Sequence, residues 1–323
     1  VVVSRDRGRS WAIMEGLPLG QFYHVAVDRR KPYGVYGGLQ DNGSWAGIGY
    51  SVRERVLYDY NWTMVGGGDG FDVEPDPERP GAGYGMSQGG SLYYFDTATG
   101  ASRACVPTES AVKHRFNWNA GFAVDPFKPS VIYYGSQFLH RSPDRGLSWE
   151  IISPDLTTND PAKQRQAESG GLTLDISSAE NYCTILSIAP SPLKEGLIWV
   201  GTDDGQIQLT RDAGKTWELV SRSLTSVRRP AAPAGAAVPH IEPSHFEEGS
   251  AYVVLDDHRR SNFAPYVAVT RDFGKTWKSL AAPEIDGYCF VVREDPVNKD
   301  LLFVGTEFGL FLSFNGGAGW LRW

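Results

Sequence analysis

Cysteine is scarce: Cys105, Cys183 and Cys289 are the only three among 323 residues, and none belongs to a Cys-x-x-Cys pair. That excludes a disulfide framework and gives no footing for a zinc or dithiol centre. Two of them, in Tyr182-Cys-Thr-Ile-Leu and Tyr288-Cys-Phe-Val-Val, sit in strand-like apolar runs and read as buried thiols. No apolar run approaches the roughly 18 residues a bilayer-crossing helix needs, so no membrane span is expected. Positive charge is in deficit, 31 Lys and Arg against 38 Asp and Glu, for a net charge of −7. Nucleic acid and anionic lipid both require a concentrated basic face, so neither is an expected partner. The pairs Arg228-Arg229 and Arg259-Arg260 read as solvated loop residues. The six histidines, His24, His114, His140, His240, His245 and His258, show neither HxxxH nor HExxH spacing. Metal catalysis therefore has no support and no cofactor is expected, although the acidic turns leave a structural calcium open. Turn formers and aromatics abound instead, with 37 Gly, 20 Pro, 15 Tyr, 15 Phe and 10 Trp.

Self-similarity fixes the architecture. Ser142-Pro-Asp144-Arg-Gly146-Leu-Ser148-Trp149 recurs as Thr210-Arg-Asp212-Ala-Gly214-Lys-Thr216-Trp217 and as Thr270-Arg-Asp272-Phe-Gly274-Lys-Thr276-Trp277. It also appears as Ser4-Arg-Asp6-Arg-Gly8-Arg-Ser10-Trp11 and, in worn form, as Ser313-Phe-Asn315-Gly-Gly317-Ala-Gly319-Trp320. The chemistry is that of a hairpin tip. Asp accepts hydrogen bonds from its own turn's amides, Gly takes positive φ, the hydroxyl adds a local bond, and Trp opens the outgoing strand with a ring to bury. These aspartates and tryptophans (Asn315 in the worn copy) are accordingly structural rather than catalytic.

Each copy follows a β run broken once by a turn, as in Leu197 to Thr210, with one further strand upstream, as in Thr184 to Ala189. Four antiparallel strands per unit make a propeller blade. Asp6 and Asp144 lie 138 residues apart, which leaves room for two blades lacking the signature, marked by Tyr33 to Gly43 and Gly83 to Asp96. The expected fold is all-β, one seven-bladed propeller over 1–323, with blades near 22–66, 68–107, 116–154, 182–222, 239–281 and 286–323. Residues 1–18 supply only the last two strands of a seventh blade, Val1 to Ser4 and Trp11 to Met14, so a longer parent polypeptide with further domains is expected.

The repeated signature resembles the Asp-box, or BNR, repeat of sialidases, xyloglucanase-type glycoside hydrolases and sortilin-like sorting receptors. Gly37-Gly-Leu-Gln-Asp-Asn-Gly-Ser-Trp45, Gly67-Gly-Asp-Gly-Phe71, Arg115-Phe-Asn-Trp118, Ser153-Pro-Asp-Leu-Thr157 and Val200-Gly-Thr-Asp-Asp-Gly205 carry the likeness further, to large bacterial proteins described as sortilin-like or BNR-repeat glycosyl-hydrolase-like. That resemblance covers nearly the whole chain. It implies an additional propeller elsewhere in the parent protein and an export signal, hence a periplasmic or extracellular location. The sialidase branch is disfavoured, since neither a Phe-Arg-Ile-Pro-like segment nor an arginine triad with a Tyr/Glu pair can be assigned.

In a propeller, the turns between second and third strands share one face with the connections between blades. The candidate ligand-binding residues there are Gln40, Asp41, Asn42, Asp69, Gln88, Asn117, Trp118, Asn119, Gln137, His258 and Glu307; Ser87, Ser136, Thr306, Glu180 and Asn181 lie in the same turns and connections. Amides, carboxylates and an aromatic ring suit a peptide or an oligosaccharide. Asp203, Asp204, Asp256 and Asp257 are weak candidates for a glycosidase acid or base, which requires two carboxyls about 5–9.5 Å apart. Two local motifs mislead. Gly85-Met-Ser87-Gln-Gly89 leads into a strand and not the helix a nucleophile elbow requires, and Gly66 to Gly70 lacks the Lys-Ser/Thr of a phosphate loop.

Two insertions stand out. In 155–181, Asp160-Pro161 is expected to cap a short helix from Ala162 to Glu168, stopped at Gly170-Gly171, that could lid the mouth; 227–239 is a low-complexity surface loop. The reading is of an exported protein- or peptide-recognition or assembly module, with a β-glucan hydrolase completed by a second propeller as the alternative.

Overall fold

A computed structural model describes residues 2–14, 20–51, 56–108, 112–165, 181–226 and 232–323. Six four-stranded sheets follow one another along the chain, and each is an antiparallel meander of consecutive strands. We call them blades I to VI, spanning 22–66, 70–104, 122–151, 185–219, 237–279 and 289–322. The fold is an all-β propeller with six complete blades, not seven. Val2–Val3 and Ala12–Ile13 pair only with each other, as a two-stranded ribbon with Val2 opposite Ile13. Two strands this short supply no second or first strand against which a blade could build.

The core is a series of apolar layers between successive blades, divided by the two-residue period of the strands. In Ala251–Asp257 of blade V, Val253 and Leu255 pack into the layer shared with blade IV, around Trp199 and Ile207. Their neighbours Tyr252 and Val254 point the other way, into the layer with blade VI, around Val292 and Phe311. Equivalent layers join blades III and IV through Tyr133 and Ile198, and blades II and III through Tyr84 and Tyr134. A thinner one joins blades I and II through Tyr36 and Phe95.

The repeated Asp turns link third strand to fourth and share one local geometry. Asp144 Oδ1 accepts from Ser148 N at 2.8 Å and its Oδ2 from Ser148 Oγ at 2.6 Å, while Ser142 Oγ accepts from Gly146 N at 2.7 Å. The same bonds recur about Asp6, Asp212 and Asp272, and Asn315 keeps the bond to Gly319 N. Positive φ extends one residue further than expected: Arg7, Arg145, Ala213 and Phe273 hold φ of 59–62° ahead of each glycine.

The tryptophan then reaches the preceding blade. Trp149 Nε1 donates to Cys105 O at 3.1 Å, Trp217 to Ile152 O at 3.0 Å, Trp277 to Val220 O at 3.2 Å and Trp320 to Leu280 O at 3.0 Å. The turn glycine touches that same residue. A Cβ on Gly146 would lie 2.5 Å from Cys105 Cβ, on Gly214 2.5 Å from Ile152 O, on Gly274 2.6 Å from Val220 Cβ and on Gly317 3.0 Å from a Leu280 methyl. Glycine is therefore demanded twice, by its left-handed φ and by the neighbour's approach.

Three local expectations need correction. Cys183, although buried, lies before its strand with φ 59°, and the strand begins at Ile185. Of the helix expected from Ala162 to Glu168, the described part holds a 3-10 turn, Pro161–Lys163, capped by Asp160 Oδ1 on Ala162 N at 2.9 Å, and 166–168 lie outside the described residues. Residues 166–180, with Gly170-Gly171 and Glu180, and 227–231, with Arg228-Arg229, lie outside the described residues. Trp11 is 64% exposed instead of buried, because the ribbon's turn has no blade beneath it.

Replacing Gly214 by Ala should cost at least about 2 kcal/mol, since strain at positive φ and overpacking against Ile152 add together. Gly67→Ala, with open space around it, should stay within about 0.5 kcal/mol of wild type. Denaturant unfolding of the two variants checks this, and equal losses would remove the close-approach argument.

Candidate functional site

The second-to-third-strand turns and the blade connections meet on one face, and the sequence-nominated residues lie there. Asp69, in the connection from blade I to blade II, accepts from Asp41 N at 2.7 Å, and its own amide donates to Gln88 Oε1 at 3.0 Å. Asn42 Nδ2 donates to Gln40 O at 2.9 Å. Trp118 O accepts from Gly89 N at 3.2 Å, while the indole packs against the layer between blades II and III. Gln137, fully buried, accepts from Arg115 N and donates to Lys113 O. These side chains tie each turn to the neighbouring connection.

The two central carboxylates are tied down most completely. Asp203 accepts from Thr184 N at 2.9 Å, from Thr184 Oγ1, and from Asn117 Nδ2 at 3.1 Å. Burial pushes its pKa up to about 7 against the pull of those donors. Asp204 accepts from Thr158 N and Oγ1 at 2.7 and 2.6 Å, and from Thr202 Oγ1. Asp257 is bound by Arg260 and by Asn262 Nδ2 at 2.9 Å. The four nominated aspartates are thus acceptors with committed donors, and Thr158 draws the long connection after blade III onto this face.

A ledge at blades V and VI gathers the nominated Asp256, His258 and Glu307 with aromatic rings that the sequence did not single out. His258 stacks on Tyr288, with ring centroids 4.5 Å apart and planes 23° apart, and its Nδ1 lies 2.7 Å from Asp256 Oδ2. Phe290 meets Tyr288 at 4.8 Å and Phe263 meets it at 6.0 Å. Phe263 is 54% and Phe290 43% exposed. Glu307 closes the group, its amide donating to Tyr288 O at 3.4 Å. Burial, with Glu307 and Asp256 nearby, raises the Tyr288 pKa and keeps the phenol neutral. Four separate stretches of chain contribute, so no local motif could announce it.

First strands carry a second unannounced group. His24 of blade I pairs its Nδ1 with Asp72 Oδ1 of blade II at 2.9 Å, and its Nε2 lies 2.9 Å from Asn119 Nδ2. Arg293 of blade VI donates to Glu242 of blade V at 2.8 Å. Burial opposes a charge on His24, but the Asp72 carboxylate outweighs it and raises the pKa. Glu74 is pushed up to about 7 by burial and by Asp72, partly offset by Arg293 and His24. Burial, with Arg293 and His24 close by, holds His240 well below its usual range. The interactions run from blade to blade across the axis, which places these groups in the central channel. Residues two apart on one strand, Asp72 with Glu74 and His240 with Glu242, were the available signal. Register shifts at the starts of these strands, between Phe22 and His24 and between Ala237 and His240, were not legible. Among the described residues no three His, Cys, Asp or Glu side chains are grouped so that they could hold a metal ion.

No protein-family model and no curated protein matches the chain. Solved structures do. A GH74 enzyme of Niastella koreensis is 17% identical, with a TM-score of 0.60 over 94% of this chain and 45% of that one. An ancestral GH74 enzyme is 15% identical, TM-score 0.56, over 94% and 37%. A chain of a mitotic checkpoint complex is 12% identical, TM-score 0.56, over 100% and 83%. At these identities the likeness is one of fold, a β-propeller, and the chain spans less than half the length of either GH74 enzyme. No helix among the described residues is long and apolar enough to cross a membrane.

His140 and His114 pack ring to ring at 4.6 Å beneath this face, and burial together with His114 pushes the His140 pKa down to about 3. The unfolded chain binds the proton near pH 6.5, so this residue's contribution to stability is full above that pH and is lost as the pH falls toward 3. Substituting His140→Phe should remove the loss, and the stability difference between variant and wild type should grow by up to about 1.4 kcal/mol per pH unit below 6.5. Urea unfolding from pH 7 to 4 measures it.

Proposed function

We propose that this chain is an exported Asp-box propeller, sortilin-like in character, that recognises a protein or peptide segment on the face built from its second-to-third-strand turns and blade connections. One observation carries the reading: Asp203 and Asp204, both buried on that face, already receive three donors each from their own chain. A general acid or base needs a free hydrogen-bonding position toward substrate, and these two buried carboxyls have committed three of about four acceptor positions to turn geometry. At blades V and VI the His258–Tyr288–Phe290 ledge offers partly exposed rings, with Phe290 and Phe263 the most open, bordered by Asp256 and Glu307. Aromatic surface flanked by polar groups is what protein interfaces use to anchor a partner. The acidic rim favours a segment bearing Lys or Arg beside an apolar residue. The sequence resemblance to bacterial sortilin-like proteins supports export, with the site outside the cytoplasm.

A peptide selected against the protein from a random library should lose at least tenfold in affinity with Tyr288→Ala or His258→Ala, and should be unaffected by Phe127→Ala, an exposed ring elsewhere. Xyloglucan and mixed-linkage β-glucan should not be hydrolysed. Turnover of either polymer that Asp203→Asn abolishes in a folded protein would transfer the assignment to the glycoside hydrolase reading, with Asp203 as the acid that burial keeps protonated near pH 7.

A further inference from the structure

Among the described residues the central channel holds two ion pairs and one carboxyl left over. His24 engages both ring nitrogens, Nδ1 with Asp72 Oδ1 and Nε2 with Asn119 Nδ2, each at 2.9 Å. Arg293 donates to Glu242 at 2.8 Å, and Glu242 also accepts from Glu294 N at 3.4 Å. Glu74 stands two residues beyond Asp72 on the first strand of blade II, Gly70–Pro75, and so on the same face. No hydrogen bond and no ion pair reaches its carboxyl from the described residues. Such a group is unfavourable in either state: ionised it lacks a counter-charge, and protonated it lacks an acceptor.

A second polar group of the same space is also unmet. His240 Nδ1 is shut from solvent with no hydrogen-bond partner. Glu74 and His240 share two charged neighbours, His24 and Arg293. The space between them is wet, since the side chains of Arg293 and His24 are 61% and 39% exposed although both sit on innermost strands.

We propose that this part of the channel binds a primary ammonium group, with the Glu74 carboxylate as its counter-charge. Charge selects the class. Once the two ion pairs are set aside, ionised Glu74 leaves one negative charge, which a monocation neutralises and an anion would add to. Donors select further, because a carboxylate without a hydrogen bond calls for a cation that brings N–H groups. An ammonium needs one carboxylate and keeps water on its remaining donors, which suits a wet channel. A metal ion needs several converging ligands, and the described residues group no three of them. His240 is left to meet the ligand's remaining polar atoms or a bridging water.

Butylammonium titrated into the full chain tests this, followed by calorimetry and by the ring signals of His24 and His240. Both signals should move, and binding should weaken as the pH falls through about 7, where Glu74 takes up a proton. The charged groups that share the channel with Glu74 are Asp72 on its own strand, His24 of blade I, His240 and Glu242 of blade V and Arg293 of blade VI. His24 gains its charge as the pH falls and adds to the loss, so the decisive variant is Glu74→Gln, which should weaken binding at pH 8 by about tenfold or more. Glutamine needs no counter-charge, and urea unfolding should find the variant no less stable than wild type. Wild type alone supplies a second check: tetramethylammonium, which has no N–H, and butyrate should both bind more weakly than butylammonium. Comparison with N-acetyl-lysine amide and glycine amide identifies the source, the tightest of the three marking a free alkylamine, a lysine side chain or a chain N-terminus, each of which upholds the proposal. Unmoved histidine signals in a large excess of butylammonium, equal binding of tetramethylammonium or butyrate, or binding that survives Glu74→Gln overturns it.

Discussion

An indole N–H bonded to the backbone carbonyl of the next blade, with a glycine flattened against the same residue, holds the outer rim of this protein together. Blades are separate sheets, so what joins them is side-chain packing plus scattered polar contacts, of which this is the one repeated along the outer rim. The contact works only if the turn is rigid. Its aspartates receive side-chain and backbone donors from Ser148 and Thr216, which hold Asp144 and Asp212 down to about 2. A rigid turn sets the tryptophan, the tryptophan sets the distance between outer edges, and the apolar layers of Trp199, Tyr252 or Tyr134 are then filled at fixed spacing. Blades I and II lack the device, and the layer between them is the smallest.

On the opposite face the same economy governs the polar residues. Short acceptors such as Asp69, Asn117, Asp203 and Asp204 join turns to connections, which does on that side what the repeated indole contact does on the outer rim. Buried acceptors with several donors rigidify a surface and leave it little chemistry of its own. What remains for a partner is the material those bonds do not consume: the rings around Tyr288, the His258–Asp256 pair, and the charged first-strand groups in the channel.

Much of this was legible beforehand where a single turn contains its own cause. Asp, Gly, hydroxyl and Trp at fixed offsets dictate hydrogen bonds within eight residues, and alternation along each run tells which residues face a neighbouring sheet. Legibility failed where the cause lay elsewhere in the chain. Cys183 sits in a strand-like run, yet its backbone turns to φ 59° where Thr184 is drawn onto Asp203. The channel group depends on register shifts that move His24 and His240 by one position, and local sequence carries no mark of them.

The order of strands, the four-stranded unit, the turn chemistry and the placement of nominated residues on one face were determined by the sequence alone, because each follows from periodicity and from bonds between residues close in the chain. The donors that Asp203 and Asp204 receive, the rings gathered at Tyr288 and the exposure of Trp11 were decided only by the tertiary structure. Those features depend on which distant segments come into contact, and a side chain's chemistry is set by the donors and surfaces that folding brings to it.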